Sequence, residues 1–163
     1  MYIRTHLEGA YSVTFQVAGT DSWKVEYIAI MKIYIFGNQD IQEDNMAIEV
    51  ANKLESKVDN IEFITVKPNE DLPFVNEKNI IIMDTIQGID KIEIINEKNL
   101  DKLELSPRNT VHDFDLGFQL KYLKKIGKLG KVTVIGLPQN GEIDYLRIQS
   151  ILRKLVAQDM QGS

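Results

Sequence analysis

From Met31 onward, short dense apolar runs alternate with longer stretches in which apolar residues recur at helical spacing. Residues 31–36 are nearly all apolar and stop at Gly37-Asn38, the pattern of a parallel strand buried on both faces. Ala47, Ile48, Val50, Ala51 and Leu54 fall three and four residues apart, which predicts a helix over about 45–57. Residues 61–66 predict a second strand, 68–73 a polar loop between two prolines, and 79–83 a third strand ending on Asp84. Residues 91–95 read as a further strand, antiparallel to the rest. A polar loop containing Pro107 leads to His112. Leu116, Phe118, Leu120, Tyr122, Leu123 and Ile126 then lie on a helix that Gly127 and Gly130 stop. Residues 131–135 give the last strand, closed by Gly136-Leu137-Pro138. Residues 143–157 give a final amphipathic helix striped by Leu146, Ile148, Ile151, Leu152 and Leu155.

Residues 1–30 follow another period. Val13, Phe15 and Val17 alternate with polar residues, as do Trp23, Val25 and Tyr27, across the turn signal Gly19-Thr20-Asp21-Ser22; this predicts a β-hairpin. The chain thus divides into an N-terminal extension, 1–30, and a body, 31–163. The extension is either an added hairpin or sequence upstream of a native start at Met31. Strands alternating with helices in the body predict an α/β fold: an open, mostly parallel twisted sheet with helices on both faces.

A chain of 163 residues closes one core without staples. Its net charge of −5 argues against nucleic acid as a partner, since phosphate binding needs a basic footprint. The densest basic stretch, 121–131, suits the exposed face of a helix running into a turn. The absence of cysteine excludes disulfides, thiolate metal sites and cysteine nucleophiles. No apolar run approaches the roughly 20 residues that span a bilayer, and the N-terminus lacks a signal-peptide layout. The expectation is a cytoplasmic protein with no membrane partner.

In open α/β sheets, working residues collect outside the carboxyl ends of the strands. Three polar features fall there: the loop Gly37-Asn38-Gln39-Asp40-Ile41-Gln42-Glu43-Asp44, Asp84 after Ile80-Ile81-Ile82-Met83, and His112 ahead of a helix. Two carboxylates and an imidazole converging on one crevice form a donor set suited to Ni²⁺, Zn²⁺ or Fe²⁺. Each residue also has a plain structural role open to it. Asp44 suits a helix N-terminus, Asp84 a turn after a strand, and His112 a loop. Asp113 and Asp115 read as first-turn helix acids. Neither G-x-G-x-x-G, a Walker sequence nor G-x-S-x-G occurs, which leaves nucleotide binding and a serine nucleophile elbow without support.

With these residues in view, the sequence resembles the hydrogenase maturation endopeptidases over about residues 31–157. Residues 31–44 resemble the family's opening: an apolar strand, Gly-Asn, four residues, then two acids, here Glu43 and Asp44. Ile80-Ile81-Ile82-Met83-Asp84 resembles its second acidic position, and Thr110-Val111-His112 with Leu116-Gly117 its histidine motif. Residues 132–138 resemble its late strand and Gly-x-Pro exit. The resemblance implies an endopeptidase that removes a C-terminal peptide from the precursor of a nickel hydrogenase large subunit. Asp44, Asp84 and His112 would contact nickel carried by that precursor, with Glu43 beside them. Gly37 and Asn38 would support the loop, and the chain would be a monomer. The sequence departs from the family at Asn45, where glycine or alanine is usual, at Glu43, where aspartate is usual, and at 65–70, which lacks the Asp-Gly-Gly many members carry. Those departures suit the alternative, a non-enzymatic α/β domain that binds a small ligand or protein at the same crevice.

Overall fold

The apolar run that begins at Met31 becomes a strand one position from the centre of a five-stranded sheet. In this computed structural model, residues 3–7, 10–67, 71–104 and 116–161 are described. The first three strands, β1 (Ile3–Leu7), β2 (Ala10–Gln16) and β3 (Trp23–Ala29), form an antiparallel sheet in sequence order. The body follows: β4 (Met31–Ile35), a 3-10 turn (Gln42–Asp44), α1 (Met46–Leu54), β5 (Ile61–Thr65), β6 (Asn79–Ile86), β7 (Glu93–Asn96), α2 (Asp101–Glu104), α3 (Leu116–Lys125), β8 (Lys131–Pro138) and α4 (Tyr145–Gln161). Its sheet has the order β5-β4-β6-β8-β7, with all pairs parallel except the edge pair β7–β8. Among the described residues no helix is long and apolar enough to cross a membrane.

The pleat of β4 sorts its side chains between two cores. Ile33 and Ile35 pack with Ala47, Val50 and Leu54 of α1 and with Ile148 and Leu152 of α4. Tyr34 and Phe36 pack on the opposite face with Phe74 and with Leu116, Leu120 and Leu123 of α3. The sheet therefore has helices on both faces, as its near-continuous apolar strands require. Tyr34, almost wholly buried, satisfies its hydroxyl by donating to Glu77 Oε1 at 2.6 Å, and burial together with that carboxylate raises its pKa. The stop after α3 has a specific cause. Gly127 adopts φ +70°, its N–H donates to the Lys124 carbonyl and the Lys128 N–H to the Leu123 carbonyl, which is the paired bonding of a glycine-terminated helix.

The strand ends differ from the pattern-based expectation. β6 does not end on Asp84 but runs through Thr85 to Ile86, because β8 continues alongside it to Pro138, pairing Asp84 with Gly136 and Ile86 with Pro138. Main-chain pairing sets these ends, whereas the sequence pattern registers only where the apolar run breaks. The hairpin gains a third strand, β1. The α1 helix is shorter than expected, and α4 begins two residues later and runs to Gln161.

Candidate active site at the carboxyl end of the sheet

The neighbourhood of β4 and β6 places the candidate residues. Ile35 pairs with Met83, and the Phe36 N–H donates to the Met83 carbonyl at 3.0 Å, so the loop leaving β4 starts beside Asp84. That loop is tied to itself. Asn38 Oδ1 accepts the Asp40 N–H at 3.0 Å, the Asn38 N–H donates to the Asp44 carbonyl at 3.1 Å, and the Asp44 N–H donates to the Ile41 carbonyl at 3.0 Å. Gly37 has φ +148°, and a Cβ there would stand 2.5 Å from the Asp44 carbonyl oxygen. Gly37 lets the chain approach the 3-10 turn that ends in Asp44, and Asn38 bonds it there.

Asp84 and Thr85 are consecutive in β6 and face opposite sides of the sheet. Asp84 shares its parity with Ile80, Ile82 and Ile86, which belong to the core against α3, the helix that His112 precedes in sequence. Thr85 faces α1, and its Oγ1 accepts the Ala47 N–H at 3.1 Å. Ala47 stands in the first turn of α1, whose amide hydrogens have no partner within the helix. The strand therefore holds the helix start in place, and Asp44, two residues ahead of α1, with it. Sequence reading passed over Thr85; the available signal was a hydroxyl beside an aspartate in a strand buried on both faces.

The two acids interact. Burial first and the negative charge of Asp44 second together raise the Asp84 carboxyl from 3.8 to about 7, against the opposing effect of the Thr85 N–H, which donates to Asp84 Oδ1 at 2.8 Å. At neutral pH the carboxyl is thus poised between its protonated and ionised forms. Such a pair can exchange a proton with water, or become a pair of anionic oxygens when a cation enters. Glu43 lies in the 3-10 turn, and its side chain falls outside the described residues, as does all of His112. Among the described residues no group of three or more His, Cys, Asp or Glu is placed to hold a metal ion. Asn45 turns its side chain to Glu49, donating to Oε1 at 3.0 Å.

Neither a family model nor a curated protein matches the sequence. The structure does match. It superimposes on the hydrogenase maturating endopeptidase HybD from Escherichia coli with a TM-score of 0.56 and 18% identity, over 82% of this chain and 94% of that one. This is the HybD fold. An endopeptidase from Escherichia coli solved in solution matches with a TM-score of 0.52 and 14% identity, over 80% of this chain and 90% of that one. At these identities what is shared with HybD is the architecture, and the chemistry has to be argued from the residues above.

Proposed function

We propose that this protein is a cytoplasmic endopeptidase that removes a C-terminal peptide from the nickel-loaded precursor of a hydrogenase large subunit. The observation that carries the reading is the coupled pair Asp44 and Asp84 at the carboxyl end of a sheet with the HybD fold. In this proposal nickel belongs to the substrate and serves as its mark of readiness. Asp44 and Asp84 supply anionic oxygens to it and His112 a nitrogen, a donor set that suits Ni²⁺. Asp84 has to give up its proton to bind, so docking releases a proton and weakens as the pH falls below about 7. A precursor held by its metal has its scissile bond at a fixed place, and fixed geometry alone lowers a barrier by several kcal/mol. A carboxylate oxygen of this pair that is not engaged by the metal accepts the proton of the attacking water.

The test is a processing assay on a large-subunit precursor from the same genome, followed by mass. Nickel-dependent loss of a C-terminal peptide is expected with wild type and not with Asp84→Asn, while His112→Ala slows cleavage. An unchanged mass with a verified nickel-loaded precursor, or full processing by Asp84→Asn, overturns the proposal. The unchanged mass would favour a domain that binds without cutting.

A further inference from the structure

The N-terminal sheet carries a surface that the proposed site does not use. β3 pairs with β2 over seven residues, and among the described residues no strand pairs with its other side. Six of its seven residues are exposed, among them Trp23 at 49%, Val25 at 52% and Tyr27 at 67%. These three share one face, and their neighbours across β2 on that face are the polar Gln16, Thr14 and Ser12. Large apolar side chains on an open edge therefore have only polar cross-strand partners among the described residues. Edge strands are usually blunted by proline, a bulge or unmatched charge. β3 has no proline, its pairing with β2 is unbroken, and its two charges, Lys24 and Glu26, are opposite in sign and flank Val25 symmetrically.

We propose that β3 is a dimer interface, in which two copies of this chain pair edge to edge, antiparallel, about a two-fold axis at Val25. That register sets Val25 against Val25, Trp23 against the partner's Tyr27, and Lys24 against the partner's Glu26. It is self-complementary, as an isologous interface has to be, and it joins two three-stranded sheets into one of six strands. The registers next to this one fail on charge or face. A slip that centres the axis on Lys24 or on Glu26 opposes like charges, as does parallel pairing in register. A slip by one residue lays the apolar face of one copy beside the charged face of the other. One strand edge covers less than the roughly 800 Å² per partner of a standard interface, so the dimer is a weak, concentration-dependent one. The resemblance implied a monomer for the chain, and the dimer departs from that expectation through a strand that lies outside the residues carrying the resemblance, 31–157.

Sedimentation equilibrium on the full chain, in a concentration series reaching several hundred micromolar, tests the interface. Wild type is expected to approach twice the 18.7 kDa chain mass. Lys24→Glu and Glu26→Lys each oppose like charges in the dimer and weaken it at least tenfold. Within the protomer Lys24 faces Phe15 and Glu26 faces Val13 on β2, so neither reversal sets like charges in a cross-strand pair; each leaves two like charges two residues apart on an exposed strand, where solvent screens them. Circular dichroism of each variant is expected to match wild type. Mixing the two variants sets opposite charges together again and restores the dimer as a heterodimer. Wild type that stays monomeric throughout, single reversals that leave the dimer intact, or mixed variants that stay apart would each overturn the interface.

Discussion

At the scale of single residues, Asp84 is held at a cost to the fold. Its folded pKa of about 7 lies above the ordinary value of 3.8 because burial and the Asp44 charge disfavour the ionised form. Between those two values the folded chain binds the extra proton, so stability falls as pH rises through that window. The contribution is fully present below about pH 4 and lost above about pH 7. Replacing the carboxyl by an amide removes the penalty, so Asp84→Asn is expected to be more stable than wild type at pH 8 by on the order of 2 to 4 kcal/mol. The difference should shrink toward pH 4. Urea unfolding of both proteins at several pH values measures this, and a variant no more stable than wild type at pH 8 would mean the carboxyl is not strained there. An inactive variant that is also more stable separates a functional loss from a folding defect, because active sites are commonly kept at the expense of stability.

Secondary elements decide how the pair is presented, and Gly37 is the point where that is testable. A side chain at 37 meets the Asp44 carbonyl at 2.5 Å and requires a φ that only glycine adopts readily. The obstacle is backbone, so the 3-10 turn has to move. Gly37→Ala is expected to cost about 1 to 3 kcal/mol and to reduce processing at least tenfold by shifting Asp44. Thermal unfolding and the processing assay together check this, and intact processing would show that the turn tolerates the shift. This scale also shows what the sequence made legible. The helix stripe of α1, the apolar β4 and β6, and the glycine stop after α3 were readable, because burial and backbone conformation are written into residue type. The reach of β6 past Asp84 was not, since Thr85 and Ile86 remain strand only by pairing with Leu137 and Pro138. Nor was β1, whose Arg4, Thr5 and His6 interrupt any apolar period and which is a strand through its pairing with β2. The candidate acids were expected in one crevice from their places at strand ends; the interaction of Asp44 with Asp84 further depends on β4 lying beside β6, a strand order that local pattern does not encode. His112 was read as the third member of the site and lies outside the described residues.

For the molecule as a whole, the change near residue 30 from an antiparallel to a mostly parallel sheet has an energetic meaning. Both core clusters draw their described buried members from Met31 onward, one against α1 and α4 and the other against α3. Among its described residues the extension adds Val13 and Ile30 as buried apolar side chains, and neither belongs to those clusters as described. Burying a side chain of that size contributes about 1.5 to 3 kcal/mol against exposure, while fixing each backbone residue costs roughly 1 to 2 kcal/mol, so two such side chains do not make the extension a large net contributor to stability. A chain that begins at Met31 is therefore expected to fold, with its thermal midpoint lowered by no more than about 4 °C, the shift that roughly 1 kcal/mol produces at this size. It should keep the processing activity proposed for the full chain, because Asp44 and Asp84 and the elements that hold them all lie in the body. It should also sediment as a monomer at concentrations where the full chain is dimeric, since β3 is gone. A drop in the midpoint well beyond that figure would show that the antiparallel sheet supports the body. Retained stability with lost processing would place part of substrate recognition on residues 1–30.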